Sequence, residues 1–395
     1  MAMKPDQAQS RVDFARRTMD AFATRTGLSG DRPATRYLWT DAFSVCNYLY
    51  LAHVTGCNEY RALARELIEQ VHEVLGRHRA DDSRSGWISG LSEEAGRAHP
   101  TAGGLRIGKP RPEREAGDPL DDRLEWERDG QYFHYLTKWA HALDVAGRST
   151  GDRDYSRYGR ELMQVACDRF IVTTPGEGLR MAWKMSIDLS RPLVSSMGHH
   201  DPLDGYVRCI QLRAGAVAGG EEEEAAPMDR CATRMARMIR RNALPTTDPL
   251  GLGGLLMDAA MVAQLVDGEH LPDDGLLGAL LAAANLGLAH YRDEGELERS
   301  PMQRLAFREL GLCIGLGAPA VIAAEVGGRR EVFRDAAGLK QKLDTLAEAS
   351  TLGQQNQIFW LESAHRDTAL WKAHENINEV MLATALLPDG ILRLP

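Results

Sequence analysis

"GLGGLLMDAAMVAQLV", residues 251–266, holds one charged residue, Asp258, and otherwise reads apolar on every side. A helix with no polar face has no side for water and is buried all round. Its glycines and alanines allow neighbouring helix axes to come close. "RLAFRELGLCIGLGAPAVIAAEV" (304–326) has the same character. "RALARELIEQVHEVLGRHR" (61–79), "YSRYGRELMQVACDRF" (155–170) and "REVFRDAAGLKQKLDTLAEA" (330–349) differ, each keeping one charged face for solvent. Buried and half-buried helices in alternation suit two concentric layers.

Working outward, period 3.6 recurs from end to end and period 2 is nearly absent. Helices are predicted near 8–25, 38–54, 59–76, 130–147, 153–171, 202–217, 227–242, 251–266, 274–292, 303–325, 331–349 and 372–387. The inner ones begin near 38, 130, 202, 251, 303 and 372. "HVTGCNEY" (53–60) and "RSTGDRDY" (148–155) read as the same short corner of an internal repeat, with a period of about 95 residues. The return connections, roughly 77–129, 172–201 and 350–371, are predicted to be long and irregular. Such loops are usually functional. The chain is expected to form one domain over 1–395.

This pattern resembles the six-hairpin glycosidase-like (α/α)6 barrel, and the resemblance is architectural, with no specific family motif. It implies an all-α toroid of twelve helices with long loops at one end. It also implies an active site in the bowl those loops form, as in glycoside hydrolases, sugar epimerases and polysaccharide lyases. Fold alone does not select the chemistry.

Composition narrows the partners. Of the 395 residues 44% are hydrophobic and 26% charged, with a net charge of -9, so a soluble globular chain is expected. No basic stripe offers itself to phosphate backbones, and nucleic acid is not expected as a partner. The first residues lack an apolar export segment, and no apolar run of about 18 residues escapes charges or glycines. Neither membrane nor export is expected. The cysteines are scattered without a CxxC pair, which suits free thiols in the cytoplasm. No metal or other cofactor is expected, because neither HExxH nor a Cys/His cluster occurs. "GGEEEEAA" (219–226) reads as a solvated loop.

"SSMGHHDPLDG" (195–205) concentrates titratable groups where the third inner helix starts. Pro202 suits a first helical turn and Asp201 an N-cap, but capping does not account for His199, His200 or Asp204. Trp39 and Asp41 open the first inner helix. At the second, Gln131, His134, Lys138 and His141 fall along one stripe. A buried helix carries such a stripe only beside a wet cavity, since each unpaired buried polar group costs about 1–3 kcal/mol. The catalytic candidates are therefore Asp41, Asp129, His134, His200, Asp201 and Asp204. Trp39, Trp126, Trp183 and Trp371 offer flat faces to sugar rings. Gln131, Lys138, His199 and His374 offer polar partners. Arg106, Lys109 and Lys184 are placed to clamp a substrate carboxylate or phosphate.

Two carboxyl groups would serve glycoside hydrolysis, the first reading. Rim histidines would serve a sugar epimerase, isomerase or lyase, which needs a base for a carbon-bound proton. A sugar-binding toroid without catalysis would keep the tryptophans and need no clustered acids. The expected partner is a small sugar or oligosaccharide.

Overall fold

Helix dominates the computed structural model, which describes residues 5–174, 178–194, 196–267, 271–293 and 295–395. The chain packs as two compact units. The first comprises Met1–Phe22, His53–Thr55 and Arg240–Leu394; the second comprises Ala23–Ala52 and Gly56–Ile239, with Pro395.

Most of α1 (Pro5–Arg25) belongs to the first unit, and α2 (Leu38–Thr55) and α3 (Asn58–Leu75) open the second. The second unit continues with α4 (Glu93–Ala98), α5 (Asp122–Glu125), β1 (Gln131–Tyr132), α6 (Phe133–Thr150) and α7 (Arg153–Phe170). Then come β2 (Ile171–Thr174), β3 (Gly178–Met181), β4 (Lys184–Met185), α8 (Asp201–Ala218) and α9 (Glu222–Ala236). Helices α6 and α7 form one hairpin, α8 and α9 another, and α6 lies beside α8. Helix α2 is buried on nearly every side, whereas α3 and α7 bury one face only. Gly56 and Gly151 end α2 and α6 in the left-handed region, at φ 68 and 76. Both corners of the repeat therefore use glycine for the same backbone reason.

The first unit continues with α10 (Pro249–Leu265), α11 (Leu276–Asp293), α12 (Ala306–Gly315), α13 (Ala318–Gly328) and α14 (Ala336–Glu348). It ends with α15 (Ser350–Leu361), α16 (Ser363–Arg366), α17 (Ala369–Ala373), α18 (Glu375–Leu386) and α19 (Asp389–Leu392). Helix α10 packs on α11, α12 and α13, and α12 packs on α18. The stretch 251–266 does what its composition demands. A Cβ built on Gly253 would meet the Gly311 carbonyl oxygen at 2.1 Å, so α10 and α12 touch backbone to backbone. Ala306–Gly328 is long and apolar enough to cross a membrane, but it is broken near Gly317, before Pro319, and its apolar window is 67% buried in the protein.

The twelve predicted stretches are helical for most of their lengths, the one near 303–325 as two helices, α12 and α13, and the six expected to be inner are the most enclosed. The fold class is all-α, with helical hairpins in each unit. Four local expectations change. Residues 350–371 are largely helical, as α15 to α17, because their glutamines and asparagine belong to a helix with two of them buried. The 172–201 connection begins in an antiparallel ribbon, β2 with β3, favoured by β-branched Ile171, Val172, Thr173 and Thr174. The 77–129 connection carries α4 and α5. Glu222–Glu224 form the first turn of α9, where acids favour the helix dipole, so "GGEEEEAA" is only partly a loop.

Candidate active site

The short strands bring the chemistry together in the second unit. Antiparallel pairing sets Gln131 opposite Met185 and Tyr132 opposite Lys184, tying the start of α6 to the loop before α8. Gln131 is wholly spent on this join. Its Oε1 accepts from Leu105 N (2.8 Å), while Nε2 donates to Ile187 O (2.7 Å) and Gly103 O (3.0 Å). It is a staple between loops.

Above the join, aromatic rings run from the exposed Trp126 through the buried Tyr132 to the half-buried His134 and Tyr135 and the buried Trp39. Trp126 is 56% exposed and meets Trp183 edge-on at 4.8 Å. Trp183 stacks on Tyr132 at 4.9 Å, and Tyr132 stacks on His134 at 5.4 Å. Tyr135 and Trp39 close the floor, 5.3 Å apart and edge-on to His134 at 4.8 and 6.0 Å. The Tyr37 and Tyr135 hydroxyls lie 2.6 Å apart. These tyrosines were missed in the sequence, although "QYFHYL" (131–136) flanks the singled-out His134 with two of them.

At the floor, His134 Nδ1 stands 4.0 Å from Asp201 Oδ1. His134 Nδ1, Asp201 Oδ2 and Trp39 Nε1 are all buried polar atoms without a hydrogen-bond partner. About a quarter of the His134 side chain is exposed (26%), but Nδ1 itself is shut from solvent. Burial pushes the imidazole well below the usual histidine range and leaves it neutral. Burial, helped by the Asp204 charge, pushes the Asp201 carboxyl up to about 8. The proton of this pair therefore rests on Asp201 at neutral pH. Asp201 is not the cap: His200 occupies the N-cap of α8 and makes no side-chain cap bond, while Asp201 opens the helix itself.

Asp204, one turn later, is the opposite case. Lys138 Nζ donates to both its oxygens (2.6 and 2.8 Å), and Thr137 Oγ1 adds a third bond (2.8 Å). Burial opposes ionisation, but the charges of Lys138 and then Arg208 outweigh it and hold Asp204 down at about 2. Deeper along α6 and α8, Arg208 donates to His141 Nδ1 (2.7 Å) and Gln211 Nε2 to Asp144 Oδ2 (2.7 Å). Lys138 and His141 of the stripe read from α6 thus bond polar residues of α8, whereas Gln131 joins loops and His134 keeps its Nδ1 unpartnered.

Other expected site residues are absorbed into structure. Asp129 is fully buried against Arg106 (2.6 Å) and Arg79 (3.3 Å), and accepts from Gly108 N (3.0 Å) and Lys109 N (3.3 Å). Arg106 spends its remaining donors on Arg77 O (2.7 Å) and Val74 O (2.6 Å). Lys184 Nζ is enclosed by Glu125 Oε1 (2.8 Å), Glu125 O (2.7 Å) and Arg128 O (2.9 Å). Asp41 accepts from Tyr37 N (2.9 Å) and faces Arg36 at 3.6 Å; burial nonetheless raises it to about 6. These four hold loops and a helix start in place. His199 is exposed and packs on the half-buried His200, ring centroids 4.5 Å apart. Trp371 and His374 lie in the first unit. There Trp371 packs on Trp360 at 5.5 Å, and the exposed His374 lies edge-on to Phe307 at 5.7 Å.

Among the described residues, no group of three or more His, Cys, Asp or Glu is arranged to hold a metal ion. No family model matches the sequence, and no curated protein matches it. Solved structures similar to the chain include cellobiose 2-epimerase from Spirochaeta thermophila, with 12% identity, TM-score 0.48, 88% of this chain and 86% of that one covered. The GH76 alpha-mannanase of Bacteroides thetaiotaomicron shows 9% identity and TM-score 0.49 over 95% of each chain. A D-mannose isomerase shows 10% identity and TM-score 0.45, covering 89% of this chain and 88% of its own.

Proposed function

We propose that the protein is a carbohydrate-active enzyme that moves protons on a sugar through Asp201 and His134. One observation carries this reading. Three neighbouring residues each hold an unpartnered buried polar atom: the Trp39 and His134 ring centroids lie 6.0 Å apart, and Asp201 Oδ1 lies 4.0 Å from His134 Nδ1. Each orphaned group costs about 1–3 kcal/mol unless a ligand or water completes it. A sugar supplies both halves, with C–H faces for the rings and hydroxyls for the polar atoms.

The pair suits isomerisation or epimerisation beside a carbonyl. Protonated Asp201 donates to the carbonyl oxygen of the open-chain sugar as neutral His134 takes the proton from the adjacent carbon. The enediol forms; His134 then returns its proton to the neighbouring carbon or to the opposite face as an enediol hydroxyl gives its proton to the Asp201 carboxylate, which restores the carbonyl and both residues. Once Asp201 has given up its proton, its carboxylate, 4.0 Å away, raises the basicity of the imidazole. Hydrolysis by two carboxylates is less well served, because Asp41, Asp129 and Asp204 are all engaged by internal cations and N–H or O–H donors. Hydrolysis keeps one supporting observation: Asp201 and Asp204 have been pushed apart, one protonated and one ionised, as an acid and its charged partner would be.

Incubation with aldoses and disaccharides in deuterated water separates the readings. Isomerisation or epimerisation puts deuterium on the carbon beside the carbonyl, and Asp201→Asn and His134→Asn abolish it. Release of a reducing end without carbon-bound deuterium selects hydrolysis. Calorimetric sugar binding with neither outcome would overturn catalysis and leave a binding protein.

A further inference from the structure

We infer that the sugar carries an anionic substituent, a carboxylate or a phosphate, and that Lys109 is the residue that reads it. This rests on the proposed sugar site and adds the chemical class of its substrate. The inference comes from a charge inventory of the loop that supports the aromatic cluster. Three cations looked suited to clamp an anion, and two have been used up. Arg106 is bound to Asp129, and Lys184 to Glu125.

Lys109 is different. Its Nζ donates to the Trp126 carbonyl oxygen and, at 3.3 Å, to the Tyr132 hydroxyl. It lies 5.7 Å from the Trp126 ring centroid and 5.1 Å from that of Tyr132. Among the described residues no carboxylate reaches it within ion-pair distance, and each acid that acts on it is held by other cations. Glu125 is held by Lys184 and Arg114, Asp129 by Arg106 and Arg79, and Glu127 by Arg111 at 2.8 Å. Burial first, and then the charge of Lys184, pushes the ammonium down to about 8. A half-buried cation with every neighbouring acid already taken is stabilised by an incoming anion. Its place is right for one. The exposed Trp126 and the inner Tyr132 mark the course of the rings towards His134, so a sugar stacked there brings a substituent to Lys109 as its carbonyl approaches Asp201.

The test is isothermal titration of the full-length protein with glucose, glucuronate and glucose 6-phosphate, and with the mannose and galactose counterparts. Wild type is expected to bind one acidic series at least tenfold more tightly than its neutral parents, and the two acidic arms tell carboxylate from phosphate. Lys109→Met should erase that preference while neutral-sugar binding persists, and Lys109→Arg should keep most of it. Lys109→Gln is a second neutral variant should the methionine lower the melting temperature. Equal binding of acidic and neutral sugars, or a preference that survives in both neutral variants, overturns the inference and leaves the sugar site standing. Failure of every sugar to bind overturns both.

Discussion

His134 Nδ1 and Asp201 Oδ1 stand 4.0 Å apart at the floor of an aromatic cluster, each residue with a buried polar atom that nothing in the described protein satisfies. One comes from the first turn of α6 and the other from the first turn of α8, held together by the short β1–β4 join and the α6–α8 contact. Such a pair lowers folding stability unless water or a ligand completes it.

Asp201→Asn should therefore stabilise the protein at neutral pH while lowering turnover about a hundredfold, the scale of a lost general acid. The sign follows from the raised carboxyl. Between about 4 and 8 the folded state holds a proton that the unfolded state has released, so stability falls as pH rises through that window. The slope is on the order of 1.4 kcal/mol per unit at most. Melting temperature against pH should show this fall in wild type and a flatter line in the variant. Wild-type turnover should decline above pH of about 8.

Lys138→Met strands the ionised Asp204 in a buried setting and should cost about 3–5 kcal/mol in urea unfolding. The double variant Lys138→Met with Asp204→Leu should recover much of that loss, since it removes both charges together. Equal losses in the single and double variants would show that packing, not charge, sets the cost.

Asp129→Ala removes the partner of buried Arg106 and the acceptor for Gly108 N and Lys109 N. A loss of about 3–5 kcal/mol is expected, with protease cleavage appearing first in the 77–129 connection. Turnover per folded molecule should fall less than in Asp201→Asn.

Gly253→Ala should destabilise by about 1–3 kcal/mol or more, because the new methyl group meets the Gly311 carbonyl oxygen at 2.1 Å. Backbone does not swing away as a flexible side chain does. Gly254→Ala, one residue on, meets nothing within 4 Å. It should gain about 0.5–1 kcal/mol from lost chain entropy alone. Urea midpoints for the two variants, measured side by side, check both signs.

What the sequence by itself determined is what depends on local pattern. Apolar residues all round 251–266 required burial, one charged face on 155–170 required a half-buried helix, and the TG pairs marked two short corners, which the structure closes with left-handed Gly56 and Gly151. Each follows from side-chain period or backbone sterics within a few residues. The polar stripe on α6 was legible for the same reason. Its partners were not, because Asp204, Arg208 and Gln211 meet it only when α8 packs alongside. Tertiary structure alone decided which acid keeps its proton. Asp201 and Asp204 are the same residue type one turn apart on α8, yet Lys138 holds the second ionised and burial leaves the first protonated. Charge and desolvation act through space, so residues far apart in the chain set that outcome.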